Sequence, residues 1–259
     1  MQRGWCSRRL ADAISRATVA GGAVLIGLGG LMVIGSPQNA RATQHSTPPE
    51  AQRLSNELAA FLRKNHYPVG VPTVRPLRLT AAERRAYREA GTAGSIGGLS
   101  LKNGDIEFSP RVLQAAARVQ RDHRRTRTSF QLVKLLMHEQ LHQATWRGRQ
   151  NWFPLKSGER ARDEGVTEAL AWDLARIWCA HPTQTCTGNR GVVPDYASYV
   201  RGVRRLAMDA AGSTRFTARP VKVWLRAYLT ANDQQRFALR VEALRQRNLR
   251  RQAALRSSS

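Results

Sequence analysis

The residues best suited to chemistry are His138, Glu139 and His142, set in the run His138-Glu139-Gln140-Leu141-His142. On a helix, positions i and i+4 lie on one face a turn apart, so the two imidazoles can share one metal ion. Glu139 is turned about 100° away and flanks the open side of that metal. Two neutral imidazoles beside a carboxylate able to take a proton from bound water are what a zinc hydrolase requires. The flanking residues predict the helix. Phe130, Val133, Leu136, Met137 and Leu141 recur at helical spacing, and Ser129 is expected as the N-cap. From Leu135 to Trp146 the only charge belongs to the motif itself.

A third ligand is expected downstream. A metzincin would continue with Gly at 145 and His at 148, where this chain has Thr145 and Gly148. The next acidic cluster contains Asp163, Glu164 and Glu168, in a helix predicted over 159–179 with Val166, Leu170, Leu174 and Ile177 on its apolar stripe. Glu164 and Glu168 are again i and i+4, so they share a face. Over about residues 96–180 the two motifs together resemble the gluzincin clan of thermolysin-like and aminopeptidase-type zinc peptidases. In that clan a second helix supplies a glutamate ligand, and an acidic residue one turn later orients a ligand histidine. The resemblance implies Glu164 as third ligand, Glu168 as the partner of a histidine N–H, Glu139 as general base and one Zn2+ per chain. It implies a peptide or protein substrate, and the hairpin expected at 96–108 is then either an edge strand that pairs with it in extended form or a small sheet that simply packs the helix. It also implies a downstream Tyr or His as oxyanion stabiliser, with Tyr196, Tyr199, Tyr228 and His181 as the choices. Asp163 stands where the clan usually has Asn, and Glu168 where Asp is common. Glu159, Asp163 and Glu168 therefore stay open as rival ligands. The plain alternative for the cluster is a solvated helix N-terminus, where carboxylates are favoured by the dipole.

The elements that must position these residues are mostly helical, which predicts a mainly α, α+β fold with a small β-hairpin or sheet beside a zincin-like helix pair. Pro48–Lys64 reads as an amphipathic helix with Leu54, Leu58, Phe61 and Leu62 inward. Residues 65–79, with Pro68, Pro72 and Pro76, read as an extended connector, and Thr80 to Glu83 as a capping box opening a short helix. Gly91–Gly98 is a glycine-rich bend. Ile96–Phe108 is the best β signal: Leu99 and Leu101 alternate, Asn103-Gly104 marks a turn, and Ile106 and Phe108 alternate again. Ser109-Pro110 starts a helix running to about Arg124. His123 reads as a surface residue, and residues 146–154 as a basic, aromatic connector. Further helices are expected over 194–211, 218–228 and 233–255. In the last, Arg236, Arg240, Arg245, Arg247, Arg250, Arg251 and Arg256 are expected opposite Phe237, Val241 and Leu244, as a solvated face or as one that touches an anionic envelope surface.

The composition is lopsided, with 42 Lys+Arg against 18 Asp+Glu, a net charge of +24. Such charge favours polyanions. Residues 1–42 read as a bacterial targeting segment: Arg3, Arg8 and Arg9 lead into an uncharged Ala17–Gly35, and Ala40-Arg41-Ala42 is a small-x-small cleavage site. Ser7-Arg8-Arg9-Leu10 weakly matches a twin-arginine signal. Two readings stand, a cleaved leader and a retained membrane anchor, each with the rest outside the cytoplasmic membrane. Loss of 1–42 removes five Arg and one Asp, so +24 falls to +20. Residues 43–259 then suit one domain, with a catalytic core over about 80–180 and a helical part over 190–256. Of three cysteines, Cys179 and Cys186 would remain, and export predicts that they pair. The bridge would staple the end of the Glu164 helix, contributing about 2.5 kcal/mol by chain entropy. The sequence thus points to an exported zinc metallopeptidase. The rival is an envelope protein that binds anionic polymer or lipid and carries a structural or vestigial zinc site. An export signal argues against nucleic acid as partner.

Overall fold

The computed structural model describes residues 46–78, 81, 98–100, 104–122, 127–145, 157–181, 186 and 196–257. The fold is mainly helical with one small sheet. The predicted helix at 80–89 apart from Ala81, the bend Gly91–Gly98 apart from Gly98, His123 and the connector at 146–154 lie outside the described residues.

Helix α1 spans Pro49–Lys64, with Leu54, Leu58 and Leu62 a turn apart and fully buried. The connector after it does more than join elements: Val74–Pro76 forms β1. Strand β2 is Gly98–Ser100 and β3 is Ile106–Phe108. The hairpin expected from Asn103-Gly104 is present, with β2 antiparallel to β3 and Gly104 at φ +85°. β1 joins the other side of β3 in parallel, giving the order β1-β3-β2. Prolines hid β1 from a propensity reading. Pro76 is tolerated because β1 is an edge strand, where the missing N–H breaks no ladder.

Helix α2 (Pro110–Asp122) starts as expected, with Ser109 Oγ accepting from Val112 N at 3.4 Å. The motif helix α3 is Arg127–Ala144 and the acidic helix α4 is Ser157–Ala180. α3 begins two residues before Ser129, so Ser129 is helical and not the N-cap. A cap is worth only about 1 kcal/mol, little against the burial that fixes this helix. Helices α5 (Ala197–Ala211), α6 (Arg219–Thr230) and α7 (Asp233–Ser257) complete the chain.

α4 is the central rod. It packs on α3 on one side and on α5 and α6 on the other, while α1 and α2 back α3 and β2 lies across it. From Asp163 to Ala175 all but Asp173 are buried, as expected of a helix covered on every side. Phe130 of α3 meets Trp172 of α4 edge-on at 5.1 Å. The C-terminal end of α4 is covered on one side only. Ile177 is exposed there, contrary to the predicted stripe, and Trp178 and Cys179 take the inward places. Cys179 is joined to Cys186, with Cα atoms 5.2 Å apart.

On α7 Arg245, Arg250, Arg251 and Arg256 are exposed as expected, but Arg236 and the apolar residues have exchanged places. Arg236 is buried, whereas Phe237, Val241 and Leu244 are exposed. Arg236 donates to the carbonyls of Tyr228 (3.1 Å) and Leu229 (3.0 Å) in the last turn of α6 and pairs with Asp163 of α4. Farther along, Arg247 and Arg250 both bind Asp209 of α5. These charged contacts turn Arg236 and Arg247 toward the body and leave Phe237 outside, because a buried carboxylate such as Asp163 needs a charged partner more than a side chain such as Phe237 needs burial.

Candidate metal centre

α3 and α4 bring His138, His142 and Glu164 together. His142 Nε2 is 2.9 Å from His138 Nε2, and Glu164 Oε2 is 3.3 Å from His138 Nε2 and 3.5 Å from His142 Nε2. All three residues are buried. Donors around one ion, with bonds of about 2.0–2.1 Å and tetrahedral angles, lie about 3.3 Å apart. The three observed separations bracket that value. Two imidazoles and a carboxylate are also the donor set of many catalytic zinc sites. Among the described residues this is the one group of three or more ligating side chains close enough to hold an ion.

Behind the donors lies a chain of buried polar contacts. His138 Nδ1 is 2.9 Å from Glu168 Oε2. An ionised carboxylate can only accept, so Nδ1 carries the proton and Nε2 faces the other donors. The second oxygen of Glu168 accepts from Lys134 Nζ at 2.6 Å. Lys134 was not singled out from sequence. The signal was there, since it stands one turn before His138 and breaks a run of buried apolar residues on α3.

Charges in this layer hold one another in unusual states. Burial alone would lower the His138 pKa, but hydrogen bonds and charge from Glu164 and Glu168 outweigh it and raise it to about 9 in the absence of metal. Burial would raise Glu164 and Glu168. His142 and His138 bring Glu164 down to about 2, and Lys134 and His138 do the same for Glu168.

Neighbouring elements fix the layer. Gln140, inside the motif, donates to Ser55 O and Ser55 Oγ of α1, each at 2.9 Å. Gln143 donates to the Gly104 carbonyl in the hairpin turn. Glu139 is fully buried beneath β2. A Cβ on Gly98 would come within 2.6 Å of the Phe108 ring and 3.1 Å of Glu139 Cγ, so the absence of a side chain makes room for the Phe108 ring, with Glu139 close by. Among the described residues β2 is an edge strand of this sheet.

α5 closes the opposite side through Gly165. A Cβ there would lie 2.7 Å from the Tyr199 carbonyl oxygen. This approach sets Tyr196 against the site: its ring stacks on His138 at 6.1 Å, and Tyr199 stacks on Tyr196 at 5.7 Å. Tyr199 itself is largely exposed. Tyr228 is committed elsewhere, against Trp224 and beneath Arg236. His181 is exposed past the end of α4. Of the rival ligands, Asp163 is taken by Arg236, Glu168 by His138 and Lys134, and Glu159 is half-buried in the first turn of α4.

Compared with known protein families, curated proteins and solved structures, the chain matches none.

Proposed function

We propose that the protein is an exported zinc-dependent peptidase of gluzincin type, with His138, His142 and Glu164 as ligands. One observation carries the reading: three donors of the right chemistry converge at separations close to those of a tetrahedral zinc site. Zinc, when bound, supplies a Lewis acid that polarises a scissile carbonyl and acidifies water. Everything else falls to the chain. Glu168 accepts the Nδ1 proton of His138 and so presents Nε2 in the neutral, ligating form. Lys134 keeps Glu168 ionised. Glu139 takes the proton of the attacking water and returns it to the leaving amine. The open edge of β2 offers backbone hydrogen bonds to an extended peptide next to Glu139. Tyr196, already against His138, is placed better than Tyr199, Tyr228 or His181 to donate to a developing oxyanion.

The depth of the site favours a second reading. His138, Glu139, His142 and Glu164 are all buried, as in a structural zinc site of an envelope protein that binds anionic polymer or lipid. Zinc content and peptide turnover, measured on wild type, Glu164→Ala and Glu139→Gln, separate the two. The peptidase reading expects about one zinc per chain, weakened in Glu164→Ala. It expects Glu139→Gln to keep its zinc but lose turnover by about 10²–10⁴-fold. Zinc without turnover against any peptide library leaves the structural reading. No zinc in folded wild type removes both.

A further inference from the structure

We infer that α7 is an interfacial helix that lays its outward face on an anionic lipid surface. This goes beyond the peptidase reading and does not rest on it. The outward residues Phe237, Val241, Leu244 and Leu255 are 60%, 48%, 48% and 73% exposed. At 100° per residue they fall within about 60° of one another, so Phe237, Val241 and Leu244 form a narrow apolar stripe over two turns, and Leu255 continues its line three turns on, past Asn248. Arginines border it on both sides, Arg240 and Arg251 along one edge and Arg245 and Arg256 along the other. Residues 251–257 are exposed all round, so the last two turns extend clear of the body.

The inward side of the helix is already committed. Arg236 binds Asp163 and the end of α6, and Arg247 and Arg250 bind Asp209. These contacts fix the rotation of α7, so the stripe cannot roll inward. An apolar stripe flanked by arginines on a helix anchored along its back suits the boundary between lipid headgroups and acyl chains. Arg240 shows the arrangement locally, with its guanidinium 5.8 Å from the centre of the Phe237 ring. A second copy of the chain fits less well. Pairing through this stripe would crowd the flanking Arg240, Arg245 and Arg251 of one helix beside those of the other. Nucleic acid would engage the arginines and leave the stripe facing water. Among the described residues no helix is long and apolar enough to cross a membrane. The chain's net charge of +24 favours an anionic surface.

The test uses the full chain carrying Cys6→Ser and Val241→Cys, with an environment-sensitive fluorophore on the new thiol. Cys179 and Cys186 are bridged, and the probe reports α7 alone, whatever residues 1–42 do. Vesicles containing phosphatidylglycerol should blue-shift the probe, whereas phosphatidylcholine vesicles and duplex DNA should not. The response should fall several-fold in about 0.5 M salt and in Arg240→Gln/Arg245→Gln/Arg251→Gln, whose side chains lie outside the core. No shift with phosphatidylglycerol overturns the proposal. So does a shift that grows with protein concentration in the absence of lipid, which would assign the stripe to self-association, or an equal shift with DNA.

Discussion

Helix α4 carries two buried ion pairs five residues apart in sequence, Glu168 with Lys134 and Asp163 with Arg236, and they end differently. The first continues into an imidazole: Glu168 spans from Lys134 to His138 Nδ1, and His138 Nε2 faces the donor cluster. The second ends on backbone, with Arg236 spread over Asp163 and the carbonyls that finish α6. Both repay the cost of burying charge with several hydrogen bonds. The Glu168 pair sets the state of a ligand, while the Asp163 pair sets the rotation of a helix. Asp163 and Glu164 are adjacent, and the turn of about 100° between them sends one to α7 and the other to the histidines.

Single substitutions test this contrast most strongly. Asp163→Ala and Glu168→Ala each strand a buried cation, so each should cost about 3–5 kcal/mol in denaturant unfolding of the metal-free protein. Their effects on zinc should diverge. Glu168→Ala should weaken zinc about 10–100-fold, and Asp163→Ala should leave it nearly unchanged in a competition titration. Equal losses of zinc affinity would erase the distinction.

The pH dependence sharpens it. In the metal-free protein the His138 pKa stands at about 9, above its ordinary 6.5. The stability it contributes is therefore full below about pH 6.5 and lost as pH rises through about 9. Glu164 and Glu168 stand at about 2, below their ordinary 4.5, so their contribution is present above about pH 4.5 and lost as pH falls through about 2. Metal-free stability should peak between about pH 4.5 and 6.5. Zinc must displace the His138 proton, so its affinity should rise about tenfold per pH unit up to about pH 9. A flat profile from pH 7 to 9 would contradict the assigned charge state.

Two smaller effects concern close approach and exposure. Gly165→Ala meets backbone, not a flexible side chain, and should cost about 1–3 kcal/mol. The separation of α4 and α5 should also withdraw the Tyr196 ring from His138, visible as a changed His138 ring shift by NMR. Phe237→Ser should change stability by less than about 0.5 kcal/mol, because the ring faces outward. A loss of about 3–5 kcal/mol would mean that the face first read from sequence was the buried one.

Much of the fold and part of the site were legible in the residues. Helical periodicity located α1 and α3 to α7 closely, and Asn103-Gly104 located the hairpin. The i, i+4 spacings of His138 with His142 and of Glu164 with Glu168 put each pair on one face. β1 was hidden because Pro68, Pro72 and Pro76 argue against a strand, and only a partner strand reveals that an edge position tolerates proline. Lys134 was hidden because a lone lysine on an apolar stripe has no meaning until Glu168 is seen opposite it.

The sequence by itself determined which residues ride on a common helix face, because backbone geometry fixes that within one element. It also determined the charge, the cysteine pair and the order of the helices. Only the tertiary structure decided which face each helix turns inward. That choice depends on partners distant in the chain: Ser55 for Gln140, Glu168 for His138 and Asp163 for Arg236. On α7 the apolar pattern favoured burying Phe237. The requirement to pair a buried carboxylate was larger, and it turned the helix the other way.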